Sequence, residues 1–286
     1  MGAAVKNSIC VAVVIALSFL SGQSKAGPTE ARNSASLFVQ SAATRLDAEI
    51  YRADVSFLLL DARTGNLFTS QWDNPERPIP VGSLVKPFVA LAYGEQHAFR
   101  YPTHMCRGTA TGCWLPRGHG EVDLPSAIAH SCNSYFRALT AGMTAAEISP
   151  IASRIGLQIP SDELRGAELV GIGNRWSIAP INLARGYLEL LQRRDQPGVR
   201  QILAGMAAAA EDGTGAAVNR ALAYPKALVK TGTAGCTHAR HAPGDGFAIV
   251  LFPAEHPEIL LLVRVHGVPG AEAAKTVGEM LWKIGE

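Results

Sequence analysis

The sequence predicts an α+β fold: an antiparallel sheet flanked by terminal helices, an all-helical subdomain beside it, and a functional cleft between the two. Three observations predict it. Strand patterns occur early, over residues 55–68, and return only after residue 227. Between them, from Ser83 to about Ala210, the patterns are mostly helical. Both ends of this region carry amphipathic helical periodicity, which would cover a sheet built from both ends of the chain.

Taken in order, residues 34–53 read as an amphipathic helix with Phe38, Ala42, Leu46 and Ile50 at a spacing of four. Residues 55–60 form a short apolar run, Asp61-Ala-Arg-Thr-Gly65-Asn66 is a turn cluster, and Leu67-Phe68 is the returning strand of a hairpin. Pro75, Pro78 and Pro80 then carry an extended stretch up to Val81-Gly82. The helical block is broken by a loop rich in Gly and Cys, and by Pro150, Pro160 and Pro180. Residues 227–231, 247–252 and 259–265 read as strands, the last two separated by a turn from Pro253 to Pro257. Residues 271–284 close the chain as a helix with Val277, Met280, Leu281 and Ile284 on one face.

A chain of 286 residues with 48% hydrophobic content can bury a large single core. A net charge of +2 without a basic stripe excludes a nucleic-acid partner. At the N-terminus Lys6 precedes an apolar run over residues 9–20, and Ser24-Lys25-Ala26 then places small residues where a signal peptidase needs them. Residues 1–26 are therefore expected to be a secretory signal, and residues 27–286 a single catalytic domain. The apolar run falls short of the ~20 residues of a spanning helix. An uncleaved anchor is the other reading, and either way the working part is exported, lying outside the cytoplasmic membrane.

Export changes the reading of the cysteines. Cys10 leaves with the signal. Cys106 and Cys113 bracket six residues containing Gly108 and Gly112, a loop that a disulfide would close. Free thiols are a second reading, and a zinc quartet of His104, Cys106, Cys113 and His119 a third, although its spacing fits no common finger. The expectation carried forward is the disulfide, with no metal and no cofactor. Cys132 and Cys236 lie beside two of the motifs that follow.

Those motifs are Ser83-Leu-Val-Lys86, Ser131-Cys-Asn133 and Lys230-Thr-Gly-Thr233. A Ser-x-x-Lys arises by accident about 0.4 times in a chain of this composition, and Ser-x-Asn about as often. Lys-Thr-Gly-Thr is expected in roughly two per thousand such chains, so the ordered trio is informative where its first two members are not. If Ser83 starts a helix, Lys86 lies one turn on along the same face, and the helix N-terminus favours an alkoxide. Lys86 must be neutral to accept a proton, and burial beside a second cation, Lys230, would lower its pKa. Ser131 can relay a proton and the Asn133 amide can hold a substrate amide. Thr231 and Thr233 suit a carboxylate beside Lys230, while Gly232 leaves room for a substrate along the strand edge. The N–H groups of Ser83 and Thr233 would form an oxyanion hole. Each motif also has a plain structural reading: Ser and Asn cap helices, and a Thr-rich strand end makes a turn.

The trio resembles the penicillin-recognising serine acyl enzymes, a superfamily of penicillin-binding transpeptidases, D-alanyl-D-alanine carboxypeptidases and serine β-lactamases. Longer stretches look specifically like the transpeptidase domain of penicillin-binding proteins. They include Leu59-Leu-Asp-Ala-Arg-Thr-Gly65, Gly82-Ser-Leu-Val-Lys86-Pro-Phe88, Ala129-His-Ser-Cys-Asn-Ser-Tyr-Phe136 and Asp212-Gly-Thr-Gly215. The resemblance spans residues 54–286 and implies a β-lactamase-like fold with Ser83 as acylated nucleophile and Lys86 as base. Ser131 and Lys230 would complete the catalytic set, and Asn133, Thr231, Gly232 and Thr233 would bind substrate. It further implies peptidoglycan stem peptides and β-lactams as ligands, and cell-wall synthesis proteins as partners. A serine β-lactamase, or a non-catalytic sensor of β-lactams or peptidoglycan, is the alternative. Against the β-lactamases, Glu163 and Glu168 fall in the region of a deacylating Glu, but residues 170–174 do not complete that pattern. Class D enzymes carry an apolar residue where Asn133 stands.

Smaller signals carry less. Gly171-Ile-Gly173 lacks the strand–helix context of a dinucleotide loop. His238, Arg240 and His241 read as a solvated loop, Trp114 as a core anchor with a roof over the cleft as the other reading, and His119 and His130 as structural.

Overall fold

The computed structural model describes residues 36–222, 224–236 and 244–285. The expected signal segment, and His238, Arg240 and His241, lie outside the described residues. Among the described residues no helix is long and apolar enough to cross a membrane.

Helix α1, Leu37–Glu49, is capped by Ser36, whose hydroxyl accepts from the Val39 N–H at 3.3 Å. Its buried face is Val39, Ala42, Ala43 and Leu46, so Val39 takes the place expected of Phe38. The predicted hairpin follows as β1, Val55–Asp61, and β2, Leu67–Ser70. Asp61 Oδ1 accepts from the N–H groups of Arg63 and Thr64 at 2.8 and 3.0 Å, which fixes the turn. Two short pairs the sequence did not resolve come next. One joins β3, Ile79–Pro80, to β6, Ser177–Ile178; the other joins β4, His104–Cys106, to β5, Gly120–Val122.

The helical block comprises α2 (Lys86–Gln96), α3 (Leu124–Ala129), α4 (Asn133–Leu139), α5 (Ala145–Arg154), α6 (Pro180–Gln192), α7 (Pro197–Glu211) and α8 (Ala216–Ala221). Pro180 opens α6 as expected, but Pro150 lies inside α5 instead of ending it. Pro150 and Ala146 are both exposed, so the carbonyl that loses its intrahelical donor turns to water. The chain then returns to the sheet through β7 (Leu228–Ala234), β8 (Asp245–Phe252) and β9 (Ile259–His266), and ends in α9 (Gly270–Gly285).

The main sheet is antiparallel, in the order β2-β1-β9-β8-β7. Both of its faces are covered. Leu58, Leu60, Ile249, Leu251, Leu260 and Leu262 join a core shared with the helical block. Their strand neighbours Phe57, Leu59, Ala248, Val250, Leu261 and Val263 join a second core with α1 and α9. This explains why β1, β8 and β9 read as unbroken apolar runs instead of alternating ones. The alternation places one charge decisively. On β7, Leu228 packs in the helical-side core and Val229 in the other, so Lys230 points toward the helices.

Candidate active site

Ser83 sits in a 3-10 turn, Gly82–Val85, that runs directly into α2. Lys86 is the first residue of that helix and is fully buried, while Ser83 is half-buried at its mouth. Tyr187 of α6 anchors the turn from below, its hydroxyl donating to the Leu84 carbonyl at 2.8 Å. Gly82 makes the turn feasible at this place. Its φ is 57°, and a Cβ there would lie 2.1 Å from the Thr233 carbonyl oxygen. Backbone of the turn carrying Ser83 and backbone of β7 are therefore in contact.

Gly232 belongs to the same junction. A Cβ on it would come 2.8 Å from the Val81 oxygen and 3.0 Å from Leu84 Cγ. The space a side chain would need is taken by the turn that carries Ser83, while the Gly232 backbone itself lines the cleft.

Ser131 lies between α3 and α4 with φ of 49°, a left-handed conformation that costs a non-glycine residue about 1–2 kcal/mol. Capping of α4 falls to Cys132, whose Sγ accepts from the Tyr135 N–H at 3.5 Å. Ser131 and Asn133 are thereby released from the capping role open to them and meet two lysines instead. Lys86 Nζ donates to the Ser131 carbonyl at 2.8 Å and to Asn133 Oδ1 at 2.7 Å, and lies 3.3 Å from Ser131 Oγ. Lys230 Nζ reaches the same Oγ at 3.0 Å and the Thr231 carbonyl at 2.7 Å.

Two buried ammonium groups converging on one hydroxyl cannot both hold a charge cheaply. Burial pulls Lys86 down to about 7, an effect partly opposed by the nearby Cys132 and Cys113 thiols. Lys230 is held well below the usual lysine range by burial and then by the Lys86 charge. A neutral Lys86 has two N–H donors, matched by its two short acceptors, and a lone pair left for a proton.

A cleft of about 400 Å³ opens above these lysines. Ser83, Ser131, Asn133, Thr231, Gly232 and Thr233 all line it. The residues singled out in three distant motifs thus converge, with Lys86 and Lys230 buried beneath.

A sequence model of the penicillin binding protein transpeptidase domain matches residues 55–284. The chain belongs to that family. No curated protein matches it. Among solved structures, Pseudomonas aeruginosa PBP2, in complex with WCK 5153, is 19% identical with a TM-score of 0.69, over 87% of this chain and 73% of that one. The TP domain of Burkholderia pseudomallei penicillin-binding protein 3 is 17% identical with a TM-score of 0.66, over 86% and 92%. Helicobacter pylori PBP2, solved with MreC, is 17% identical with a TM-score of 0.69, over 84% of this chain and 61% of that one. At these identities the neighbours establish the transpeptidase-like fold.

Within this transpeptidase domain some site residues were not singled out in the sequence. Thr214 lines the cleft, and its Oγ1 accepts from Thr231 Oγ1 at 2.5 Å. Thr231 is therefore tied to a partner of its own and buried. Thr233 Oγ1 accepts from the Gly270 N–H at 2.9 Å, tying β7 to the start of α9. Asn174 reaches across the cleft mouth, its Oδ1 accepting from the Gly235 N–H at 2.9 Å. The signal for Thr214 was the Asp212-Gly-Thr-Gly215 stretch itself; Asn174 had none.

Several expectations are corrected in this domain. Trp114 lines the cleft and is half-exposed, not a core anchor, with its Nε1 donating to the His130 carbonyl at 3.2 Å. Cys106 and Cys113 are free thiols, not a disulfide. Their Sγ atoms each lie 3.5 Å from His119 Nδ1, because the β4–β5 hairpin folds both around that ring. His104 lies apart from this group and pairs with Ser134 Oγ at 2.7 Å. Its place is taken by Cys132, so that among the described residues Cys106, Cys113, His119 and Cys132 form the group able to hold a metal.

Proposed function

We propose that this protein is a serine acyl enzyme acting on D-Ala-D-Ala ends of peptidoglycan stem peptides, by D,D-transpeptidation or D,D-carboxypeptidation. We take it to be exported to the periplasm and acylated by β-lactams at Ser83. One observation carries this reading: Lys86 of α2 and Lys230 of β7, both fully buried, share the hydroxyl of Ser131, which lines the same cleft as the half-buried Ser83.

The chemistry runs on the chain's own groups. Ser83 Oγ attacks the carbonyl carbon of the penultimate D-Ala while its proton passes to the neutral Lys86 amine. The carbonyl oxygen becomes an oxyanion facing the N–H groups of Ser83 and Thr233. Collapse breaks the C–N bond, and a proton routed through Ser131 leaves with the terminal D-Ala amine. The resulting ester is then opened by an acceptor amine or by water. Lys230, Thr231 and Thr233 would hold the substrate's terminal carboxylate, and Asn133 its backbone amide.

Slow release of a β-lactam is part of the proposal. Glu168 and Glu163 are bound to Arg175 at 3.1 and 2.7 Å, and neither lines the cleft. The deacylating water of a β-lactamase therefore has no base from either. Intact-mass measurement after benzylpenicillin treatment tests the reading. A stable adduct of the full antibiotic mass, absent in Ser83→Ala, is expected. Rapid antibiotic hydrolysis would make the protein a β-lactamase, and absence of any adduct would leave a binding domain without turnover.

The partners belong to the same reading. Helicobacter pylori PBP2 was solved with MreC, and another neighbour, with a TM-score of 0.65, belongs to a peptidoglycan synthase complex. We take cell-wall synthesis proteins as the class of partner for this chain.

A further inference from the structure

Three thiols and an imidazole, drawn from four places in the sequence, meet behind the Ser131 loop. Cys106 ends β4, Cys113 lies in the hairpin loop, His119 precedes β5, and Cys132 stands between Ser131 and Asn133. One donor atom from each lies within 4.8 Å of all the others. His119 Nδ1 is 3.5 Å from the sulfur of Cys106 and 3.5 Å from that of Cys113, and Cys113 Sγ is 3.9 Å from Cys132 Sγ.

These separations can be set against coordination geometry. A tetrahedral zinc ion bonds sulfur at about 2.3 Å and nitrogen at about 2.0 Å, so its S···S edges are about 3.8 Å and its S···N edges about 3.5 Å. The two S···N separations of 3.5 Å and the S···S separation of 3.9 Å match these edges. A disulfide would need its sulfurs at about 2.05 Å.

The surroundings suit thiolates. The Tyr135 N–H points at Cys132, and the backbone N–H groups of His119 and Gly108 reach Cys106. All three cysteines are buried, and His119 stacks on His130 with ring centroids 5.3 Å apart. The loop is pre-shaped around them. Gly118 has φ of 79°, and a Cβ there would fall 2.3 Å from the Cys106 carbonyl oxygen.

We propose that Cys106, Cys113, His119 and Cys132 form a closed Cys3His zinc site that fastens the β4–β5 hairpin to the Ser131–Asn133 loop. With four protein ligands the ion has no open position, so its role is structural and not Lewis-acid chemistry. Binding one Zn²⁺ releases three thiol protons to solvent, and His119 coordinates through Nδ1 with its proton on Nε2. The ion holds Cys132, and with it the positions of Ser131 and Asn133 on either side. This coupling to acylation rests on the function proposed above; the metal site itself does not.

The test is metal analysis of the purified full chain. About one zinc per chain is expected, falling several-fold in Cys113→Ser but retained in His104→Ala, since His104 is not a ligand. Should Cys113→Ser not fold, the wild-type chain decides alone. Exchanged with Co²⁺, it should show thiolate charge-transfer bands and the strong visible bands of tetrahedral cobalt. Zinc far below one per chain with no cobalt bands would overturn the site, as would peptide mapping that finds two of these cysteines joined in a disulfide. Chelation should slow benzylpenicillin acylation by about tenfold, and Zn²⁺ should restore it. Acylation unchanged by chelation would remove the coupling. Bound zinc without any penicillin adduct would refute the acyl-enzyme reading while leaving the metal site standing.

Discussion

The two walls of the cleft are held by different physics. On one side β7 is fixed by seven consecutive register pairs with β8, from Leu228↔Leu251 to Ala234↔Asp245. Backbone hydrogen bonding decides where Lys230 and Thr231 stand. On the other side Ser131 occupies a left-handed connection between α3 and α4, and Asn133 is the first residue of α4 behind its Cys132 sulfur cap. Backbone bonds from the Ser131 and Cys132 N–H groups to the Ile128 and Ala127 carbonyls shape that turn, and side chains tie it across the cleft: Lys86 on the Ser131 carbonyl and Asn133, and Lys230 on the Ser131 hydroxyl. A wall built from backbone pairing should fail only where backbone approaches are violated. A wall tied by side chains should fail when one donor is lost.

The largest expected effect strikes the loop wall. Lys86→Ala removes the proposed base and strips the Ser131 carbonyl and Asn133 of their donor, so acylation should slow by about 10³-fold in a time-resolved intact-mass assay. An acylation rate close to that of the wild type would mean that another group accepts the Ser83 proton. Next comes the backbone junction. Gly82→Ala forces a Cβ onto the Thr233 carbonyl at a positive φ, and stability should fall by more than about 4 kcal/mol, read as a lower urea midpoint. Tolerance of this change would erase the distinction between the walls.

The titration of Lys86 sharpens the comparison further. Burial lowers its folded value to about 7 from an ordinary 10.5, and the proposed mechanism uses the neutral form as base. Acylation should therefore rise about tenfold per pH unit below about 7 and level off above it. The stability linkage has a definite sign. From about pH 7 to 10.5 the unfolded chain keeps a proton that folded Lys86 has released, so stability rises with pH across that window and is flat below it. In thermal melts, wild type should gain on Lys86→Met between about pH 7 and pH 9; a constant gap would contradict the lowered value.

Smaller effects remain. Thr214→Val leaves the Thr231 hydroxyl without its partner and should cost about 1 kcal/mol in denaturant unfolding. Glu168→Gln should change the lifetime of the penicillin adduct by less than about twofold, because that carboxylate is engaged by Arg175 away from the cleft. A longer-lived adduct in that variant would instead make Glu168 a deacylating base.

Much of this architecture was legible from residue order. The β1–β2 turn was announced by Asp61 to Gly65, and α9 by the spacing of Val277, Met280, Leu281 and Ile284. What escaped were pieces too short to carry a period. The pairs β3–β6 and β4–β5 involve two or three residues a strand, and the first joins segments nearly a hundred residues apart. Pro150 misled because a proline biases a helix to end without forbidding it to continue, and here both it and Ala146 lie at the exposed face of α5. Thr214 and Asn174 were hidden because single polar residues acquire a role only from what the fold sets opposite them.

The sequence by itself determined the layered sheet-and-helix arrangement and the chemical inventory of the cleft, since hydrophobic periodicity and rare motifs are local properties of the chain. Tertiary structure alone decided that two lysines share one hydroxyl, that Gly232 makes room for the turn carrying Ser83, and that Cys132 joins Cys106, Cys113 and His119. Those outcomes depend on burial and on distances between remote segments, and burial is what changes a lysine from a surface cation into a base.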